Sequence, residues 1–204
     1  TNSDNDLLRL MRSGDEEAFA LLYRRRQAGV FRFALQMSGS REVAEDVTQE
    51  VFIVLISEAE RYDSSRGSVA AFLYGIARNH VLRRLQRDRD RTFISLDADS
   101  NGHNTESHPA FVAAADPLGD LTRAETVETL RSAILTLPAH YREVVVLCDL
   151  HEMDYREAAS VLGCSIGTVR SRLHRARNLL VEKLRANDSA EPATGEANAT
   201  RCFV

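Results

Sequence analysis

The stretch "YREAASVLGCSIGTVRSRLHRARNLL", residues Tyr155 to Leu180, decides how the rest of the chain is read. Tyr155–Leu162 has the spacing of a short amphipathic helix, and Gly163 can take the left-handed conformation that ends one. Ser165 then suits the N-cap of a second helix, where its hydroxyl accepts from a backbone N–H that has no partner within the helix. At about 100° per residue, Val169, Leu173, Ala176, Leu180 and Leu184 fall in one arc. Ser171, His174, Arg175 and Asn178 point the opposite way, with Arg170 and Arg172 on the flanks. A short helix, a glycine turn and a second capped helix have the grammar of a helix-turn-helix. Gly167–Leu180 holds four arginines and no acidic residue. The arginine fork matches both phosphate and the major-groove edge of guanine, while Thr168 and the helix N-terminus suit phosphate. The segment predicts a DNA-reading helix; the alternative is a solvated basic helix with no nucleic acid partner.

Outside this segment the charge is organised in blocks. The 204 residues carry a net charge of −4, so the chain as a whole is no general polyanion binder. Yet Arg61–Arg91 holds eight arginines against Asp63, Asp88 and Asp90, and Arg170–Arg185 holds six basic residues against Glu182 alone. Thr92–Thr122, between them, has five acids and no Lys or Arg. Two anion-facing surfaces separated by an acidic connector are expected. Apolar runs are short, Val51–Ile56 and Val144–Cys148 being the longest, far from the ~20 residues that span a bilayer. The sequence begins polar and acidic, without a signal-peptide pattern. Three cysteines (Cys148, Cys164, Cys202) with no CxxC fit a reducing compartment better than a disulfide scaffold. A cytoplasmic protein is expected.

Nearly all of the remaining sequence has helical periodicity. Leu7–Arg12 reads as a short amphipathic piece, and Asp15–Met37 as a longer helix closed by Ser38–Ser40. Ser40 can cap a helix running to about Ala59, and Ser68 one that continues to about Asp90. Asp63–Ser68 between them reads as a loop. In the helix after Ser40, Val43, Val47, Val51 and Val54 make a core face, and Asp46, Gln49, Ile53 and Ile56 a second line. That line is either a partner-docking face or the mark of a helix buried on two sides. Tyr62, Phe72 and Tyr74 interleave with Arg61, Arg66, Arg78, Arg83, Arg84 and Arg87, as in proteins that hold unstacked single strands. Phe72 shares a face with Val69, Leu73 and Ile76 and reads equally as core. The fold expected is all-α: residues 1–91 one helical domain, 92–122 a flexible linker, 123–185 the helix-turn-helix domain, and 186–204 a disordered tail.

With "GDEEAFALLYRRR", "AEDVTQEVF", "FLYGIARN" and "LPAHYREVVVL" added to the opening stretch, Leu7–Arg185 resembles the extracytoplasmic-function (ECF) group of bacterial sigma-70 RNA polymerase sigma factors. The resemblance implies that residues before the linker form sigma region 2, which binds the β′ clamp of core polymerase and opens the promoter −10 element. It implies that Arg123–Arg185 form region 4, which grips the β flap and reads the −35 element. The linker would thread toward the active-site cleft. Carried over position by position, Asp46, Gln49, Glu50, Phe52 and Ile53 would meet polymerase. Tyr62, Asp63, Arg66, Tyr74, Arg78 and Asn79 would serve the −10 element, Asn79 capturing a flipped base. Thr168, Arg170, Ser171, Arg172, His174 and Arg175 would serve the −35 element. The chain has no tryptophan; Ile56 and Phe72 stand where many relatives carry one. The resemblance also implies a cognate anti-sigma factor, no cofactor and no membrane insertion.

Two other functions compete. A stand-alone helix-turn-helix regulator would need a sensor domain or a dimer interface, and Leu7–Asp90 resembles neither. A metal-dependent nuclease could be imagined on Glu45, Asp46 and Glu50, but no convergent histidine accompanies them. The six histidines do not pair with cysteines at metal-ligand spacing, so neither a catalytic residue nor a metal site is expected.

Overall fold

The computed structural model describes residues 2–95 and 117–188. Eight helices occur among them: α1 (Asp4–Arg12), α2 (Glu16–Ser38), α3 (Arg41–Glu58), α4 (Val69–Ser95), α5 (Pro117–Leu135), α6 (Ala139–Val145), α7 (Tyr155–Leu162) and α8 (Ile166–Asp188). A 3-10 turn follows α3 at Ala59–Arg61, and a π-helical turn follows α6 at Val146–Leu150. The described residues include no strand.

The helix starts are written in side chains. Ser3 and Asp6 form a reciprocal capping box on α1, and Asp15 accepts from the Ala18 N–H at 3.0 Å. Ser40, Ser68 and Ser165 accept from the N–H groups of Val43, Ala71 and Thr168 at 3.3, 3.2 and 3.1 Å. Asp154 caps α7 by accepting from Arg156 and Glu157. Two glycines set the ends that matter. Gly163 takes φ 63°, ψ 37° and turns the chain from α7 into α8. Gly39, at φ 74°, ends α2; a Cβ there would lie 2.9 Å from Leu135 Cδ1, so its lack of a side chain admits α5.

The amino-terminal core is built from α2 packed on α1, α3 and α4. Leu8, Leu22, Phe33, Met37, Val47, Val51, Leu55, Leu73 and Val81 are all buried there. In the carboxy-terminal half α8 packs on α5, α6 and α7, with Val144, Leu147, Ala158, Val169, Leu173 and Ala176 buried. The two halves also pack on each other: α7 lies on α4, and α5, α6 and the π-helical turn lie on α2.

Helix boundaries differ from the sequence reading at the connector. Helix α4 runs on to Ser95 and α5 already begins at Pro117, so both ends of the expected linker are helical. Its centre and the tail beyond Asp188, with Cys202, lie outside the described residues. Cys148 and Cys164 are half-buried free thiols, and burial pushes the Cys148 pKa up to about 11.

Candidate nucleic-acid interface

The arc of Val169, Leu173, Ala176 and Leu180 is buried against the rest of the carboxy-terminal half, which turns the opposite side of α8 outward. Arg170, Ser171, His174, Arg175 and Asn178 are exposed there; Thr168 and Arg172 are half-buried at its edge. Local contacts pre-order this face. The Ser171 hydroxyl donates to the Thr168 carbonyl at 3.1 Å, His174 and Asn178 lie within 3.3 Å, and the Arg170 guanidinium sits 5.8 Å from the Tyr155 ring centre. The fourth arginine of the segment has another task. Arg177 donates twice to Asp149, at 2.6 and 3.1 Å, and ties α8 to the π-helical turn. These hydrogen bonds, with the carboxylate charge, hold its pKa above the ordinary arginine value.

A second candidate face lies on α4 and the preceding loop. A cleft of about 630 Å³ is lined by Tyr62, Asp63, Arg66, Phe72, Asn79 and His80, with Arg61 and Arg83 at its edge. Asn79 is exposed and Phe72 half-buried, its ring 5.5 Å from that of Tyr62. The Tyr62 hydroxyl is anchored within reach of Asn5 Oδ1 (2.6 Å) and the Gly67 carbonyl (3.0 Å). Asp63 accepts from the Ser65 N–H at 2.9 Å in an Asx turn, an interaction that lowers its carboxyl pKa. His80, absent from the sequence reading, borders the same cleft; its position next to Asn79 was the available signal. The other wall belongs to the carboxy-terminal half, through Ser160 and Val161 of α7.

Tyr74 and Arg78 are placed differently from the other −10 candidates. They face the carboxy-terminal half, and the Tyr74 phenol, whose pKa burial raises, meets His151 Nδ1 at 3.0 Å. His151 Nε2 lies 2.9 Å from Gln36 Oε1. Because that amide oxygen can only accept, Nε2 carries the proton and Tyr74 donates to Nδ1. Burial, helped by the positive charge of Arg32, lowers the His151 pKa to about 4. Arg78 Nη2 donates to Glu143 at 3.2 Å; that carboxylate side chain is only 3% exposed. The Ser68 N–H at the start of α4 donates to Glu157 at 3.1 Å, and the Ser160 hydroxyl to the Arg66 carbonyl at 3.1 Å. Arg142 completes the seam by donating to the Met37 carbonyl at 2.5 Å.

The third group of predicted residues lies on α3. Gln49 is exposed, and Ile53 and Ile56 are 64% and 59% exposed, large fractions for isoleucine. The second line therefore is an outward face and does not mark a helix buried on two sides. Asp46 and Glu50 point toward α4, where Arg84 donates to both at 2.8 and 2.9 Å and His80 meets Glu50 at 2.5 Å. Burial alone would lower the Arg84 pKa, but the two carboxylates outweigh it and raise it. Arg84 is thus part of a helix–helix tie and stands apart from the arginines of the cleft. Phe52 is 3% exposed, its ring 4.7 Å from that of Tyr23, so it packs the core beneath the face. Leu21 of α2, 44% exposed, is a further apolar surface residue that periodicity alone did not single out.

Comparison with known proteins agrees with this division of surfaces. The family profile for sigma-70 region 2 matches residues 22–92, and that for sigma-70 region 4 matches residues 128–180. The ECF RNA polymerase sigma factor SigE of Mycolicibacterium smegmatis is 33% identical over 185 residues, covering 89% of this chain and 68% of the relative. The ECF RNA polymerase sigma-E factor of Escherichia coli K12 is 30% identical over 188 residues, covering 89% and 94%. SigW of Bacillus subtilis is 27% identical over 178 residues, covering 87% and 95%. Among solved structures, CnrH in complex with the cytosolic domain of CnrY aligns with a TM-score of 0.65 at 25% identity, over 91% of this chain and 99% of that one. The sigma factor RpoE from Bartonella quintana, in complex with the anti-sigma factor NepR, has the same fold at a TM-score of 0.65 and 24% identity, over 83% and 98%. Two matched regions in the expected order, with relatives aligned along nearly nine-tenths of the sequence, establish that the chain belongs to the ECF group of sigma-70 RNA polymerase sigma factors.

Proposed function

We propose that this chain binds core RNA polymerase through the Gln49, Ile53 and Ile56 face of α3, reads −35 DNA with the exposed side of α8, and serves the −10 element from the Tyr62–Asn79 cleft. The observation that carries this reading is the coexistence of two kinds of surface on opposite halves of one chain. The exposed α8 face is polar and basic and sized for a major groove. The exposed α3 row is apolar and suits a protein partner. A stand-alone regulator accounts for the first surface and leaves the second without a use. Within this scheme Asp46 and Glu50 act through Arg84 and His80 by fixing α3 on α4, and Phe52 supports the face from beneath. Thr168 and Arg172 serve phosphates at the groove edge, while Arg170, Ser171, His174 and Arg175 reach base edges.

The protein acts by recognition, with no catalytic group of its own, and works in the cytoplasm alongside polymerase. None of the described helices is long and apolar enough to cross a membrane. Both aligned solved structures hold a sigma factor with a bound regulatory protein, which supports a cognate anti-sigma factor for this chain. The test is run-off transcription from a promoter library with core enzyme, with and without the purified chain. Promoter-specific transcripts are expected only when both are present. Sequence-specific repression or binding without any effect on initiation would instead identify a stand-alone regulator.

A further inference from the structure

The seam between the halves holds anionic groups against the −10 face. Glu157, on the first helix of the helix-turn-helix, places a carboxylate oxygen 3.1 Å from the Ser68 nitrogen. That N–H opens α4, where the helix dipole and free donors favour an anion. One and a half turns further along α4's own face, Glu143 takes the Arg78 guanidinium from a site where the carboxylate is almost fully enclosed. Ser160 closes on the Arg66 carbonyl and, with Val161, walls the cleft that contains Asn79. Four of the six residues assigned to the −10 element (Arg66, Tyr74, Arg78 and Asn79) thus either contact the carboxy-terminal half or share a cleft with it.

We propose that α6 and α7 form an acidic latch over the −10 face, with Glu143 and Glu157 standing where DNA phosphates stand once the halves separate. The proposal rests on the −10 reading given above. A latch must hold and also release, and the Arg78 contact has the character of a releasable one. It is a single 3.2 Å hydrogen bond where the two groups could form a bidentate pair, and Arg78 Nε has no hydrogen-bond partner in the protein. The latch leaves α3 uncovered, since Ile53 and Ile56 are exposed in this closed arrangement. Polymerase can therefore be met by the latched chain, and anchoring the two halves apart on its surface would release the −10 face.

The test compares full-length wild-type chain with Glu157→Gln, Glu143→Gln/Glu157→Gln and the charge-matched control Glu128→Gln/Glu182→Gln, whose carboxylates lie on exposed surface. Small-angle scattering reads the separation of the halves. Binding of a fluorescein-labelled, mixed-sequence single-stranded DNA 20-mer at fixed salt reads access to the −10 face. The double latch variant is expected to have a larger radius of gyration and to bind the 20-mer at least tenfold more tightly than wild type, with Glu157→Gln between them. An unchanged radius and affinity in the latch variants, or equal tightening in the control pair, would overturn the latch. Circular dichroism checks the fold, and Glu157→Gln decides the question should replacing the enclosed Glu143 unfold the domain. Run-off transcription with core enzyme is measured alongside. Its absence for wild type and all variants would refute the sigma-factor reading, while scattering and 20-mer binding still decide whether the halves are latched.

Discussion

Arg175 and Arg177 stand two residues apart on α8 and do different things. Arg177 is held by Asp149, whereas Arg175 is exposed with no acid printed against it by the fold. In polymerase holoenzyme, Arg175→Ala is expected to relax preference at particular −35 base pairs, because one bidentate base contact is worth about 1–3 kcal/mol of discrimination. Competition binding against −35 variants checks this; a uniform loss across all sequences would make Arg175 a phosphate contact. His151 offers a second residue-scale prediction. It is packed against the Phe33 and Tyr74 rings, hydrogen-bonded to Tyr74 and Gln36, and influenced by Arg32. Its pKa is about 4 in the closed chain against 6.5 when free. A histidine whose pKa is depressed stabilises the closed form fully above 6.5, and this stability fades as pH falls through 6.5 toward 4. At pH 5, about 1.5 units below the free value, the closed arrangement should lose roughly 30-fold in its equilibrium, about 2 kcal/mol. Scattering between pH 8 and 5 measures it, and His151→Gln should flatten the response contributed by this site.

At the scale of the element, α3 carries the sharpest prediction. Its two faces separate cleanly: Val47 and Val51 are fully buried, while Gln49, Ile53 and Ile56 point outward. Gln49→Ala with Ile53→Asp should therefore abolish co-elution with core polymerase at unchanged helicity, since neither side chain supports the core. Loss of helicity, or retained co-elution, would remove α3 from the interface. Much of this helix was legible in the sequence because local rules agree there: a serine cap, a 3.6-residue valine period and a second line with its own chemistry. The caps at Ser68 and Ser165 and the turn at Gly163 were legible for the same reason. Phe52 was not, because a family position says nothing about which side of the helix the core occupies. The π-helical turn at Val146–Leu150 escaped as well. The apolar run Val144–Cys148 is continuous, and a run without period cannot show where an extra residue enters the helix.

At the scale of the whole molecule, the closed seam had no sequence signature at all. Arg78 and Glu143 are 65 residues apart and Gln36 and His151 are 115 apart, and no spacing rule links polar residues over such separations. An acidic linker was reason enough to expect a poor free DNA binder, and the seam supplies a structural one. Free chain should bind duplex promoter weakly and with little sequence preference, and holoenzyme should bind it strongly. A titration of labelled promoter with and without core enzyme, repeated over several salt concentrations, checks this. Each phosphate neutralised adds about −0.9 to the slope of log affinity against log salt for duplex DNA. The free chain, offering mainly α8, should show a shallower slope than the Glu143→Gln/Glu157→Gln variant. Equal, tight and specific binding by free chain would remove the seam from the account.

The exposure of Ile53 and Ile56 in the closed chain has a consequence for search in the cell. A genome offers on the order of 10⁶–10⁹ non-specific sites, enough to sequester any basic protein that is always ready for DNA. A chain that shows its apolar row first and its −10 groove last is spared much of that sink. Its copies remain in circulation to compete for a scarce enzyme, so promoter output follows how much of the protein is made and not how much DNA surrounds it.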